Sequence, residues 1–488
     1  MKRVVAEMFM VCRRRKRDRA ARGLRRSRLS VWLTVALCAF GCAASGCATP
    51  PPRWAEIIEK KEIADFDRPA CPPTAAAPAS DDFLVYLDGS GSMRGYLNPK
   101  GASAYRETLR LLTEVGPLCE PSMRIQFRKV GGAVDPPKPW EALAPLPDKE
   151  EFYTLPETDL AAAVRAFSVN LEGKRSGPPP RLHVLVTDGV QSLGSTLAAS
   201  FRDECLKLLD GADGRPPWQA TVFGIRSQFN GKVYSEVERS KAVVYQSEDD
   251  KATWRPFYLI AFSSDAARHD ENIARLRREL TKLESKPEIH ELPLSACFTS
   301  RPPEVEVKGD EASEGLGPRV ARIKHKRPDA PPSFNIEIGP NKNRRLVIAI
   351  RPAWSEAALG AADAAQLAEM IDWEIAPVYP GQEAAGAGYP RLTDLQIRIE
   401  NGATVATVQP EWESKAKTPA WRIFRLAGRL NPKKRLPGWL EEWNTRDDRT
   451  VAQANRTYNL LATWQAPWER SPVGKQLVAD IYLAVGPK

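Results

Sequence analysis

A chain of 488 residues exceeds what one hydrophobic core serves, so its length predicts two or three folded parts. The formal charge of +10 suggests a polyanionic partner until it is located: residues 1–30 hold twelve Lys and Arg against Glu7 and Asp18, and everything after them sums to zero. A neutral folded part lacks the basic surface that phosphate backbones require, which excludes DNA and RNA as partners.

Residues 29–52 contain no charge, and "LSVWLTVALCAFGCAASGC" within them passes from apolar to small. A basic segment, an apolar core and small residues, in that order, make an export signal over residues 1–47. Its end, "AASGCATPPP", resembles the lipobox of bacterial lipoproteins, whose Cys is lipidated and becomes the mature N-terminus. Cys47 fits that position, although Ala44 stands where Leu is usual and Cys42, after "CAFG", competes with it. The same apolar stretch is also long enough for an uncleaved membrane helix. Either reading anchors the chain to a membrane, by lipid or by helix, and sets its bulk in the cell envelope, facing the periplasm or the exterior.

Beyond Cys47 the chain has Cys71, Cys119, Cys205 and Cys297. Four cysteines in an oxidising compartment make two disulfides possible, with three pairings open. None sits in a CxxC, and His183, His269, His290 and His325 are scattered, so zinc and Cys–His nucleophile chemistry find no support.

Residues 48–80 are rich in Pro and Ala and read as a semi-extended tether, with a short helix in "WAEIIEKKEI". Over residues 81–290 short apolar runs alternate with amphipathic stretches, which predicts a doubly wound, mostly parallel α/β sheet. Strands are expected at residues 83–88, 123–130, 181–187, 219–225 and 256–262, and helices at 103–115, 158–167, 196–209 and 270–283. "FNGK", residues 229–232, reads as a hairpin turn extending the fourth strand.

A Pro- and charge-rich linker is expected at residues 300–333. From residue 334 the periodicity changes to two: Phe334, Ile336 and Ile338 alternate, "GPNKN" turns, and Leu346, Ile348 and Ile350 alternate back. Further strands are expected in "DWEIAPV", "DLQIRIE", "ATVATVQ", "WRIFRLAG", "TYNLLATW" and "VADIYLAV", so residues 334–488 read as a β-sandwich. The Trp residues of this half are expected in its core or on sheet faces rather than on a sugar platform.

The stretch richest in chemistry is "FLVYLDGSGSMRGY", residues 83–96. In an α/β sheet, ligands gather beyond the carboxyl ends of the strands, and Asp88 ends an apolar strand. Ser90 and Ser92 follow at a spacing of two, with Gly89 and Gly91 expected to let the loop turn tightly. A carboxylate and two hydroxyls are hard oxygen donors that suit Mg²⁺ or Mn²⁺. "LVTDG" places Asp188 at a second strand end, and "ETDLAAAV" places Thr158 at a helix start.

Asp88-x-Ser90-x-Ser92, then Thr158, then Asp188 resemble the metal-ion-dependent adhesion site of a von Willebrand factor type A domain. The resemblance implies a Rossmann-like type A domain over residues 81–290. It implies five cation ligands, Asp88, Ser90, Ser92, Thr158 and Asp188, holding Mg²⁺ or Mn²⁺ directly or through water. It also implies an open position for an Asp or Glu carboxylate of a protein partner. No base lies beside Ser90 or Ser92 in the sequence, which points to a membrane-anchored adhesion or binding protein rather than an enzyme. The competing readings are a metal-assisted phosphohydrolase and an envelope scaffold whose metal site is vestigial.

Overall fold

The computed structural model describes residues 54–59, 80–99, 103–119, 124–139, 149–169, 180–190, 195–211, 217–238, 241–295, 298–309, 318–325, 330–338, 345–379, 387–400, 403–412 and 418–487. The expectations for residues 1–47, Cys47, Cys71 and Cys297 lie outside these residues. Among the described residues no helix is long and apolar enough to cross a membrane. Trp54–Lys488 cluster as one compact unit, which opens with helix α1 (Trp54–Glu59).

All five apolar runs expected as strands before residue 290 form strands of one seven-stranded sheet. In chain order its elements are β1 (Ser80–Asp88), α2 (Ala104–Cys119), β2 (Arg124–Val130), β3 (Lys138–Pro139), α3 (Leu160–Val169), β4 (Pro180–Thr187) and α4 (Ser195–Asp210). Then follow β5 (Gln219–Ser227), a hairpin of β6 (Asn230–Tyr234) and β7 (Ala242–Gln246), β8 (Arg255–Ser263), α5 (Ala266–Leu280) and β9 (Ile289–Pro293). The sheet order is β3-β2-β1-β4-β8-β5-β9. Alternation along β1 sends Leu84 and Tyr86 to the face covered by α3 and α4, and Phe83, Val85 and Leu87 to the face covered by α2 and α5.

The fold is mixed α/β, and the sheet is mixed rather than mostly parallel. β1 runs parallel to β2 and β4, whereas β3 is antiparallel to β2, β8 to both β4 and β5, and β9 to β5. A parallel neighbour needs a crossover, ordinarily a helix. Between β5 and β8 the described residues form only the β6–β7 hairpin and a short 3-10 turn, so β8 returns beside β5 in the opposite sense. "FNGK" is not the turn of that hairpin: Asn230 to Lys232 pair within it, opposite Gln246 to Val244.

The remaining chain builds a sandwich. One sheet holds β10 (Thr299–Gly309), β13 (Leu346–Trp354), β16 (Pro390–Glu400) and β17 (Ala403–Trp412). The other holds β11 (Arg319–Arg322), β12 (Ser333–Ile338), β14 (Ile371–Tyr379), β19 (Arg422–Leu430) and β22 (Leu477–Pro487). Ile336, Ile348, Ile350, Val408, Leu426 and Ile481 meet between them. Short helices α6 (Glu356–Ala361) and α7 (Ala364–Glu369), and minor pairs β15 (Ala387–Gly388) with β18 (Thr418–Pro419) and β20 (Asn444–Thr445) with β21 (Thr457–Tyr458), complete this half. Much of the expected linker at 300–333 is therefore strand. In β10 Glu304, Glu306 and Lys308 face solvent while Val307 is buried, so its charges mark an outer face.

"TYNLLATW" is not one strand. Asn459 takes a left-handed conformation at φ 55°, a position Asn tolerates, and helix α9 (Leu460–Arg470) begins there. With α8 (Gly438–Glu442), α9 carries Trp439, Trp443, Trp464 and Trp468 into the core of the seven-stranded sheet. Phe201 of α4 meets Trp464 edge-on at 5.7 Å. The two halves thus share one core, and these four Trp serve packing. The possibility of two disulfides fails at Cys205, a free thiol on the buried face of α4 beside Phe201 and Leu209. Burial holds that thiol far above its ordinary range.

Gly224 of β5 is where the second half leans closest: a Cβ there would stand 2.8 Å from Trp443 Cζ3 and 3.0 Å from Trp439 Cζ3. Gly224→Ala is expected to cost about 1–3 kcal/mol in urea unfolding, because two packed indoles must move.

His269 of α5 is wholly buried and sits 3.1 Å from Thr221 Oγ1 through Nε2. Burial lowers its pKa to about 3, below the unfolded value of about 6.5. The stability this gives is complete above pH 6.5 and is lost as pH falls toward 3, because the unfolded chain takes up the proton first. His269→Gln should remove about 2 kcal/mol of the destabilisation that the wild type shows between pH 6.5 and 5, read by unfolding at both pH values.

Candidate metal centre

The five residues singled out in the sequence converge at the carboxyl ends of β1 and β4. Backbone bonds lock the loops into place. Gly89 N–H donates to Val130 O at 2.9 Å, Leu155 N–H to Gly89 O at 3.0 Å, and Gly91 N–H to Leu155 O at 3.1 Å. The residue 89–91 loop is thereby zipped to the loop ahead of α3, and Asp159 N–H, bonded to Gly131 O at 2.8 Å, fixes the point at which Thr158 turns inward. Thr158 lies two residues ahead of α3, which begins at Leu160, rather than on the helix itself.

Asp88 is completely buried and surrounded by donors. Ser90 N–H reaches Oδ1 at 2.9 Å, Thr158 Oγ1 reaches Oδ1 at 3.0 Å, and Thr187 Oγ1 reaches Oδ2 at 2.7 Å. Ser90 and Ser92 lie Oγ to Oγ at 2.9 Å. Asp188, 1% exposed, takes Val190 N–H on Oδ1 at 3.1 Å, whereas its Oδ2 receives no hydrogen bond. Burial, and then the charge of Asp188, push the Asp88 carboxyl up to about 6 against the donors from Ser90 and Thr187.

Neither Gly89 nor Gly91 adopts a positive φ, so the tight turn expected of them is not their role. Gly89 instead lies against the Lys129 side chain and Leu155. The glycine that needs its conformation is Gly189, at φ 75°, where a Cβ would press on the Tyr258 ring at 2.8 Å.

Of the cluster, Ser90, Ser92 and Asp188 line a cleft of about 440 Å³, together with Arg94, Thr154, Glu157, Tyr234, Glu236 and Arg255. No histidine lines it. His183 is packed in the core instead, 3.3 Å from the Tyr86 hydroxyl. Among the described residues no group of three or more His, Cys, Asp or Glu side chains is placed to hold a metal. A cation held by all five residues would rest on two carboxylates, three hydroxyls and water.

That donor set fits magnesium or manganese on structural grounds. Each hydroxyl that donates a proton keeps lone pairs for a cation. Asp188 Oδ2 is a buried carboxylate oxygen that receives no hydrogen bond, a state that costs free energy. Two buried acids and the neighbouring Arg255 guanidinium, 3.7 Å from Asp188, sum to −1 when both acids are ionised. A divalent ion would turn this to +1, matched by one incoming carboxylate.

Two site residues escaped the sequence reading. Thr187, one position before Asp188, was hidden inside an apolar strand, yet its hydroxyl holds Asp88 and accepts from Gly189 N–H at 3.1 Å. Arg255 is the charged first residue of a strand that is otherwise apolar, "RPFYLIAFS", and that position was the available signal. Thr187→Val should cost about 1–3 kcal/mol in thermal unfolding, because a buried carboxylate loses a donor, while Thr187→Ser should retain most of the stability. No family model matches the chain, and comparison with curated proteins and with solved structures returned no match either.

Proposed function

We propose that the protein is a membrane-anchored, extracytoplasmic binding protein of von Willebrand factor type A character. Its cleft takes Mg²⁺ or Mn²⁺ and, through it, an Asp or Glu carboxylate of a protein partner. The observation behind this reading is that Ser90, Ser92 and Asp188 line one cleft, with Asp88 and Thr158 joined by a hydrogen bond and buried at the same strand ends and Asp188 Oδ2 left without a donor. Helices on both faces of the sheet, and β2, β1 and β4 running parallel, favour a doubly wound type A-like domain. The antiparallel β8 beside β4 is a departure to be accommodated within it.

When bound, the cation supplies an electrophilic point for an anionic ligand. The chain's own residues do the rest. Asp88 anchors the Ser90 backbone and the Thr158 hydroxyl, Ser90 and Ser92 present oxygens on the exposed side, and Asp188 provides the second charge. A hydrolytic reading needs an activated water or nucleophile, and no histidine lines the cleft to provide a base. Lipidation at Cys47 or an uncleaved helix supplies the anchor in this proposal.

A ligand that binds only the folded state adds about 2.7 kcal/mol at 100 times its Kd. Saturating Mg²⁺ or Mn²⁺ should therefore raise the Tm by several degrees, and Asp88→Ala should abolish the rise. A wild type indifferent to both ions sinks the proposal. Phosphoester hydrolysis lost on the same substitution would favour the enzyme.

A further inference from the structure

Arg255 opens β8, a strand buried along its whole length, and its side chain is 3% exposed at the wall of the cleft. A buried guanidinium beside a buried carboxylate ordinarily closes a forked ion pair at about 2.8 Å. This one does not. Nη2 stands 3.7 Å from Asp188 Oδ2, which stays without a hydrogen bond. Nη1 is turned the other way, donating to the carbonyl of Ala454 at 2.5 Å and to that of Arg456 at 3.3 Å. Both acceptors belong to the C-terminal half, about 200 residues further on.

That segment is itself fastened. Ala454 is buried in the core on the α2 and α5 side of the sheet, and Asn455 Nδ2 donates to Ala252 O at 2.9 Å. Thr457 N–H donates to Trp443 O at 2.8 Å. The Thr457 hydroxyl meets that of Tyr258 at 2.8 Å, beside Gly189 and so next to Asp188. The Phe229 ring lies 5.6 Å from the guanidinium carbon on another side.

From these contacts we infer that residues 454–457 of the C-terminal half hold Arg255 off Asp188, keeping Oδ2 available to a cation, and that Arg255 is a positioning residue coupling cation occupancy to this segment. The inference rests on the proposed cation site. A cation and the guanidinium compete for one oxygen and repel each other. A bound cation therefore presses Arg255 onto its two carbonyls, and by linkage those carbonyls favour the cation to the same degree.

The test uses the full chain in detergent at pH 8 with Mn²⁺ as the probe. Mn²⁺ affinity is read from the spin-resonance signal of the free ion, and hydrogen exchange from a peptide spanning residues 451–458. Mn²⁺ should slow exchange in that peptide about fivefold. In Arg255→Gln the slowing should vanish while Mn²⁺ binds about tenfold tighter, one unit of positive charge having gone from roughly 6 Å away. A purely structural role for Arg255 gives the reverse, weaker Mn²⁺ binding in Arg255→Gln, and overturns the inference. Unaltered exchange in a wild type that binds Mn²⁺ overturns it too, and needs no variant to fold. A wild type that binds no Mn²⁺ overturns the cation site along with it.

Discussion

Two carboxylates buried side by side at the ends of adjacent parallel strands are the constraint around which this molecule is arranged. Burial and the neighbouring charge of Asp188 raise the cost of ionising Asp88. Everything in contact with them answers that cost. Thr158 and Thr187 turn hydroxyls to Asp88, the zipped loops aim the Ser90 amide at it, and a guanidinium stands across from Asp188. One oxygen is left over. An arrangement that satisfies all but one oxygen of a buried acidic pair is poorly explained as scaffolding alone, since an amide or apolar side chain would satisfy a scaffold at lower cost.

The halves are joined around the walls of the same cleft. Arg226, near the carboxyl end of β5, donates to the carbonyl of Trp254 at 2.8 Å, lies over the Trp443 ring at 4.7 Å and pairs with Glu288 and Glu442. Asp448 receives the Ser235 hydroxyl and the Glu236 amide at 2.6 Å each. The segment between α8 and α9 thus clasps the β6–β7 hairpin and the start of β8, the elements that wall the cleft. The antiparallel β8 matters here: it brings Arg255, at its amino end, to the same sheet edge as the carboxyl ends of β1 and β4. A strand in the parallel sense would have placed its first residue at the opposite edge.

What could be read in the sequence divides along the distance over which the relevant contacts act. Asp88, Ser90 and Ser92 sit within one loop, and Asp188 ends a strand whose apolar run is unmistakable, so local pattern sufficed for them. Thr158 needed only its place ahead of a helix. Thr187 and Arg255 acquire their roles from partners on other strands or in the other half, which no spacing records. Strand existence was legible in the apolar runs, but strand direction was not, because direction is decided by whether a connection contains a helix. The errors in the second half have the same character. "TYNLLATW" has strand-like composition, and only the left-handed Asn459 converts it to a helix. Residues 299–309 look like a linker because their outer face is charged.

The docking of α1 changes the mechanics of anchorage. Trp54 and Ile58 sink into a pocket with Ile423, Tyr482 and Ala484 of the sandwich, and Trp54 tilts against Trp421 at 5.5 Å. Under the proposed anchorage at Cys47, only the chain from that residue to Trp54 separates the lipid from this docking. It comprises seven steps of chain, a reach of at most about 25 Å, against more than about 100 Å for a tether running unattached to residue 80. In such a protein the point at which α1 docks would stay within that distance of the lipidated residue.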